Sequence, residues 1–190
     1  TGDTFGAGDA DLTRWAAVVV ADRVPEFPGW DRISTAKVTV EMSPLHSRGT
    51  WAKQRPFEPS VKDKPDGMVL AMTRARLRPV KALTFWRAVP PVVAELDAAP
   101  GLLARIGIGE APIGWQGTIT VWRGATDLTG FAYRQPEHRA VIARTPTDKW
   151  YAEDLFARFA VRRITGDRTV LGWVRKGDQG DEADAMRPTG

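Results

Sequence analysis

The chain has no cysteine, and only two histidines and two tyrosines among its 190 residues. The first absence excludes disulfides, zinc-thiolate sites, iron–sulfur clusters and thiolate-ligated haem built from this chain, and it is in keeping with a reducing, cytoplasmic setting. Two imidazoles, His46 and His138, argue against a zinc site made of several histidines, although mixed carboxylate sites stay open. No stretch approaches the roughly 20 uninterrupted apolar residues of a membrane span. The start also lacks the basic region and apolar core of a secretory signal, so no membrane span and a cytoplasmic location are expected. Phosphate loop, nucleophile elbow and dinucleotide fingerprint are missing too. With those gone, the chemistry has few possible owners, and His138 leads them.

What is present is a chain that is 43% hydrophobic with eight tryptophans, enough to bury the core of one ordinary domain or of two small halves packed together. Rings of that size fill cores, and they also line apolar ligand pockets. The net charge of +4 is a small excess of 27 basic over 23 acidic residues. Its densest segments, Arg74 to Arg78 and Arg162-Arg163, read as strand-like with alternate residues reaching solvent. No helix-turn-helix or aromatic RNA-binding signature accompanies them, so no nucleic-acid partner is expected.

The apolar run Trp15 to Ala21 suits a buried strand, behind a glycine-rich loop over Thr1 to Gly8. Ala36 to Met42 alternates, Val38, Val40 and Met42 against Lys37, Thr39 and Glu41, as a half-exposed strand does. Ser43 to Pro65 holds four prolines and scattered charge without a period, the pattern of a long connection. Met68 to Arg76 reads as a strand stopped by Pro79. A helix then starts, carried by Val80, Leu83, Trp86 and Val89, and Pro90-Pro91 should kink or break it. Strands follow at Leu102 to Ile108 and Gly117 to Trp122. Next come a helical region from about Thr126, interrupted at Pro136 and resuming through Ala143, and a strand at Leu155 to Ile164. From Met68 onward the order is strand, helix, strand, strand, helix, strand, which is ferredoxin-like.

A weak internal echo links the start to the stretch around Ile108 to Gly117. It suggests an α+β fold of two ferredoxin-like halves forming a pseudo-dimer like a dimeric alpha-beta barrel, the first half missing its opening strand and helix. Residues 1–65 would be that incomplete half with its long connection, 66–175 the second half, and 176–190 a disordered or extended tail. The echo also implies residues upstream of Thr1 in the native chain.

Five segments in order carry a resemblance: Met72-Thr73-Arg74-Ala75-Arg76-Leu77-Arg78-Pro79, Phe85-Trp86-Arg87-Ala88-Val89-Pro90, Gly107-Ile108-Gly109-Glu110, Gln116 to Trp122, and Glu153 to Phe159. Together they resemble the spheroidene monooxygenase family of carotenoid-modifying enzymes over about Val69 to Val161, with a looser match upstream. The resemblance implies a haem-binding barrel of the dimeric alpha-beta type and oxygen chemistry, and it leaves the substrate open. Haem b would then need an axial ligand from histidine, methionine or tyrosine, and a neutral imidazole is the common choice when the other face stays open to dioxygen. His138, which shares a helix face with Val141, Ile142 and Thr145, is that candidate, and His46 is the fallback. Taken alone, a histidine of this kind is more often a packed or half-solvated helix residue.

The other cofactor-binding candidates each have a plainer alternative. Gly107 and Gly109 could let backbone approach the porphyrin, or simply make turns. Trp86 and Phe131 could wall a pocket or belong to the core. Arg74, Arg76 and Arg144 could pair with propionates through the guanidinium fork, or be ordinary surface arginines. Glu153, in a matched segment, could cap or pair structurally. The function implied is haem-dependent monooxygenation of an apolar small molecule, such as a carotenoid, fed by an external electron donor such as a ferredoxin or reductase, in a monomer or homodimer. A dehydration or rearrangement at haem iron, a cofactor-free monooxygenase and a small-molecule binding module on the same barrel remain alternatives.

Overall fold

The computed structural model describes residues 11–59, 67–109, 114–134 and 150–173. Five strands form one antiparallel sheet: β1 (Val38–Gly49), β2 (Val69–Leu77), β3 (Leu102–Gly109), β4 (Trp115–Trp122) and β5 (Tyr151–Gly166), in the spatial order β1-β5-β2-β4-β3. Helix α2 (Ala82–Asp97) connects β2 to β3, and α3 (Ala125–Arg134) follows β4. The last four strands and these two helices have the ferredoxin-like order and pairing, with the outer strands β5 and β3 flanking β2 and β4. This is the α+β arrangement expected from the sequence. The described part of the first half adds β1 to the β5 edge, and a short helix, α1 (Pro28–Ile33), with no buried residue. Among the described residues, no helix is long and apolar enough to cross a membrane.

Strand alternation gives the sheet two differently covered faces. On the helix side, Val69, Leu102 and Trp122 meet Leu96 of α2, Ala99 just after it, and Leu128 and Phe131 from α3. The opposite face is built on Leu70, Met72, Ala104, Val121, Leu155, Ala157 and Phe159. It is covered by irregular chain, with Phe57, Val18 and Trp51 from before β2 and Leu171 and Trp173 from after β5. Gly117, opposite Arg74, leaves no room for a side chain between β2 and β4, since a Cβ there would lie 2.2 Å from the Thr73 carbonyl oxygen. Gly101 serves the turn into β3, with φ +80° and the Asp127 carboxylate occupying the space a side chain would need.

Four expectations are corrected. The run Trp15 to Ala21 forms neither helix nor strand and is largely exposed, with Trp15 58% and Val20 68% accessible. A short continuous apolar run does not state its own conformation, and this one lies as a strap across the second face through Val18. Ser43 to Gly49, read as part of a long connection, is instead strand β1. Pro44 is accommodated because β1 is an edge strand with a register shift between Pro44 and His46, so the missing N–H costs no ladder bond. Helix α2 continues through Pro90 and Pro91; both are exposed, where water can satisfy the carbonyls their rings displace. Finally, Arg74 does not reach solvent: it is buried at 4% accessibility. The helical stretch expected to resume through Ala143 lies outside the described residues.

Candidate functional site

The strands sort the candidate residues by face. Gly107, buried in β3, pairs with Thr118 of β4, and Thr118 shares a hydroxyl hydrogen bond of 2.5 Å with Thr73 of β2. These positions lie on the helix side, as Trp122 and Val69 do further along the same strands. Gly109 is exposed at the end of β3, opposite Gln116, whose buried Oε1 has no hydrogen-bond partner among the described residues. Phe131 packs on Trp122 at 5.4 Å between ring centroids and is 8% accessible. The helix side therefore joins an aromatic core at one end to a patch of glycine, threonine and glutamine at the other. Trp86 lies on α2, its side chain outside the described part, and His138 and Arg144 also fall outside the described residues.

Arg74 is on the opposite face, so the sheet separates it from Gly107 and Phe131. Its guanidinium carbon lies 3.6 Å from the centre of the Trp115 ring and 4.2 Å from that of Trp51, a cation held between two π-faces. Arg76, exposed, lies 5.7 Å from Trp115. Trp51 reaches this position through a tight turn in which Trp51 and Gln54 exchange backbone hydrogen bonds and Ala52 and Lys53 have φ of 52° and 65°. Positive φ at two non-glycine residues is unfavourable alone, and Glu153 offsets it. One carboxylate oxygen accepts from the Lys53 N–H and the Thr50 hydroxyl, each at 2.7 Å. The Lys53 amide first, then Thr50, with a smaller contribution from Arg74, holds the Glu153 carboxyl below its ordinary pKa. Glu153 thus has the structural, capping role that its sequence position suggests. Trp51 and Trp115 were not singled out as partners of Arg74; the alternation of β2, which sets Arg74 on the same face as Met72, was the only available signal.

His46 is exposed on β1 opposite Arg158. β1 and β3 are the two edges of the sheet, four inter-strand spacings or about 19 Å apart, so His46 does not stand over the same patch as Gly107. Tyr151, in contact with Phe85 at 5.8 Å, has its phenol pushed up to about 12 by burial and then by Asp154, so it stays neutral. A porphyrin needs a flat apolar slot and an axial donor. The described residues offer Gly107 and Phe131 on one side of the sheet, the arginine on the other and the exposed imidazole at a far edge, and so they do not by themselves assemble a haem site. Among the described residues, no cluster of histidine, aspartate or glutamate could hold a metal ion either.

The chain defines a ferredoxin-like α+β domain with an added edge strand. No family model matches it. It is 33% identical over 154 residues to the spheroidene monooxygenase of Rhodobacter capsulatus, covering 80% of this chain and 62% of that protein. It is 30% identical to that of Cereibacter sphaeroides, over 87% of this chain and 49% of the relative. The spheroidene monooxygenase of Rubrivivax gelatinosus is 32% identical, over 67% of this chain and 48% of the relative. The chain is therefore related in sequence to the spheroidene monooxygenases, as the five motifs indicate, and it spans about half to three-fifths of their length. Among solved structures, a protein of Caulobacter crescentus described as an antibiotic biosynthesis monooxygenase overlaps 52% of this chain and 93% of its own, with TM-score 0.46 and 15% identity. The Mycobacterium tuberculosis protein Rv0793 overlaps 53% and 90%, with TM-score 0.40 and 13% identity. Neither overlap is close enough to carry an argument about this chain.

Proposed function

We propose that this chain is the ferredoxin-like part of a monooxygenase that oxidises an apolar, carotenoid-like small molecule. The observation that carries the reading is the kinship with three spheroidene monooxygenases, 30–33% identical over 67–87% of this chain. In such a reaction one atom of dioxygen enters a C–H bond of the substrate and the other leaves as water, with two electrons and two protons coming from an external donor such as a ferredoxin or reductase. Haem b, bound through His138, is the group proposed to supply oxygen activation. This chain's own residues would keep the chemistry dry. The Trp122–Phe131 core closes the helix side at one end, and the hydroxyls of Thr73 and Thr118 and the Gln116 oxygen are among the polar groups on that side.

The test is isotopic. The haem-supplemented protein is incubated with a carotenoid, a ferredoxin with its reductase, and ¹⁸O₂. The reading predicts a product heavier by one ¹⁸O atom, formed only when the electron donor is present. Turnover without an electron donor would instead favour the cofactor-free alternative, and no labelled product from haem-replete protein across a panel of carotenoids would overturn the proposal.

A further inference from the structure

On the face of the sheet away from the helices, a half-open cavity of about 410 Å³ lies between the strap, β1 and the chain after the Trp51 turn. Most of the side chains that line it are apolar: Val18 from the strap, Met42 and Pro44 from β1, then Phe57 and Phe159, with Val19 and Val20 at the rim. The two phenylalanine rings meet edge to face at 4.9 Å and close the inner end. The charged residues of the lining, Arg55 and Glu58, are both exposed, which puts them at the mouth. We propose that this cavity is a binding site for one end of a hydrocarbon-rich small molecule, distinct from the helix-side patch. An apolar end gains the burial of its surface against these side chains, while Arg55 and Glu58 are placed to meet a polar group at the mouth. The volume is at the small end of ligand pockets, roughly 300–1,000 Å³, so a long molecule seats only its end. The rest passes out over the rim, where Val19 and Val20 are 48% and 68% accessible.

This site stands independently of the oxygenation reading, and so does its test. The whole chain is titrated with 1,6-diphenylhexatriene, a rod-shaped polyene that fluoresces on entering an apolar environment. Saturable binding is expected, weakened at least tenfold in Met42→Trp and in Ala21→Trp, each of which puts an indole into the cavity. Ala21 is at the exposed lip, so its variant decides the matter should Met42→Trp fail to fold. Trp15→Ala, on the exposed part of the strap, should bind as the unaltered chain does. Unchanged affinity in the folded filled variants, loss through Trp15→Ala alone, or no saturable binding at all would each overturn the proposal.

Discussion

Both faces of the sheet carry an apolar cluster, but the two are differently covered. On the helix side, side chains from α2 and α3 descend on Val69, Leu102 and Trp122 at helical spacing, and each covering residue is fixed by its own backbone ladder. On the other side, Phe57, Val18, Leu171 and Trp173 come from irregular chain or short turns, anchored by single side chains and by the Glu153-capped turn. A face covered by helices is built to be permanent, whereas one covered by straps retains the cavity that regular packing would have filled.

Removing a large ring from each face should separate them. Trp122→Ala, at 1% accessibility and against Phe131, should cost about 5 kcal/mol, the upper range for such truncations. Phe57→Ala should cost about 3 kcal/mol, the lower end, because a strap can sink into the space it leaves. Denaturant unfolding measures both, and a larger loss at Phe57 would break the distinction. A smaller effect comes from the sheet that both faces share. Gly117→Ala brings a Cβ to 2.2 Å from the Thr73 carbonyl oxygen, and forcing β2 and β4 apart should cost about 1–3 kcal/mol, read in the same unfolding curves.

The smallest expected effect is local. Because the folded Glu153 carboxyl titrates below its ordinary value, the stability it lends the Trp51 turn is fully present above the ordinary glutamate range and is lost as pH falls through the lowered pKa. The Lys53 amide resonance should report this as a titration with a midpoint below that of an exposed glutamate, and Glu153→Gln should abolish the step. An ordinary midpoint would remove the carboxylate from its assigned role.

The ferredoxin-like unit was legible because its signals are periodic. β2, β4 and β5 alternate, α2 carries apolar residues at threes, and the break before β3 is marked by Pro100-Gly101. The misreadings concern features without a period. Pro44 reads as a breaker until its place at an edge-strand bulge is known, and Pro90-Pro91 until the helix surface they occupy is seen to face water. Trp15 to Ala21 has the composition of a strand, yet its conformation depends on whether a partner strand lies beside it. The candidate site was less legible still. Residue type marked Arg74, Gly107 and Phe131 as ligand-binding candidates, but only the pairing of the strands shows that the first stands on one side of the sheet and the other two on the opposite side. Family motifs identify segments, and the face a side chain takes is decided by register.

The central proposal is that the chain binds an oxygen-activating haem through His138. It is tested most directly by the absorption spectrum of the chain expressed with ample haem, beside His138→Ala and His46→Ala. The account predicts a Soret band that is lost or shifted in His138→Ala and unaltered in His46→Ala. A band indifferent to His138, or none in the haem-supplemented unaltered chain, would contradict it.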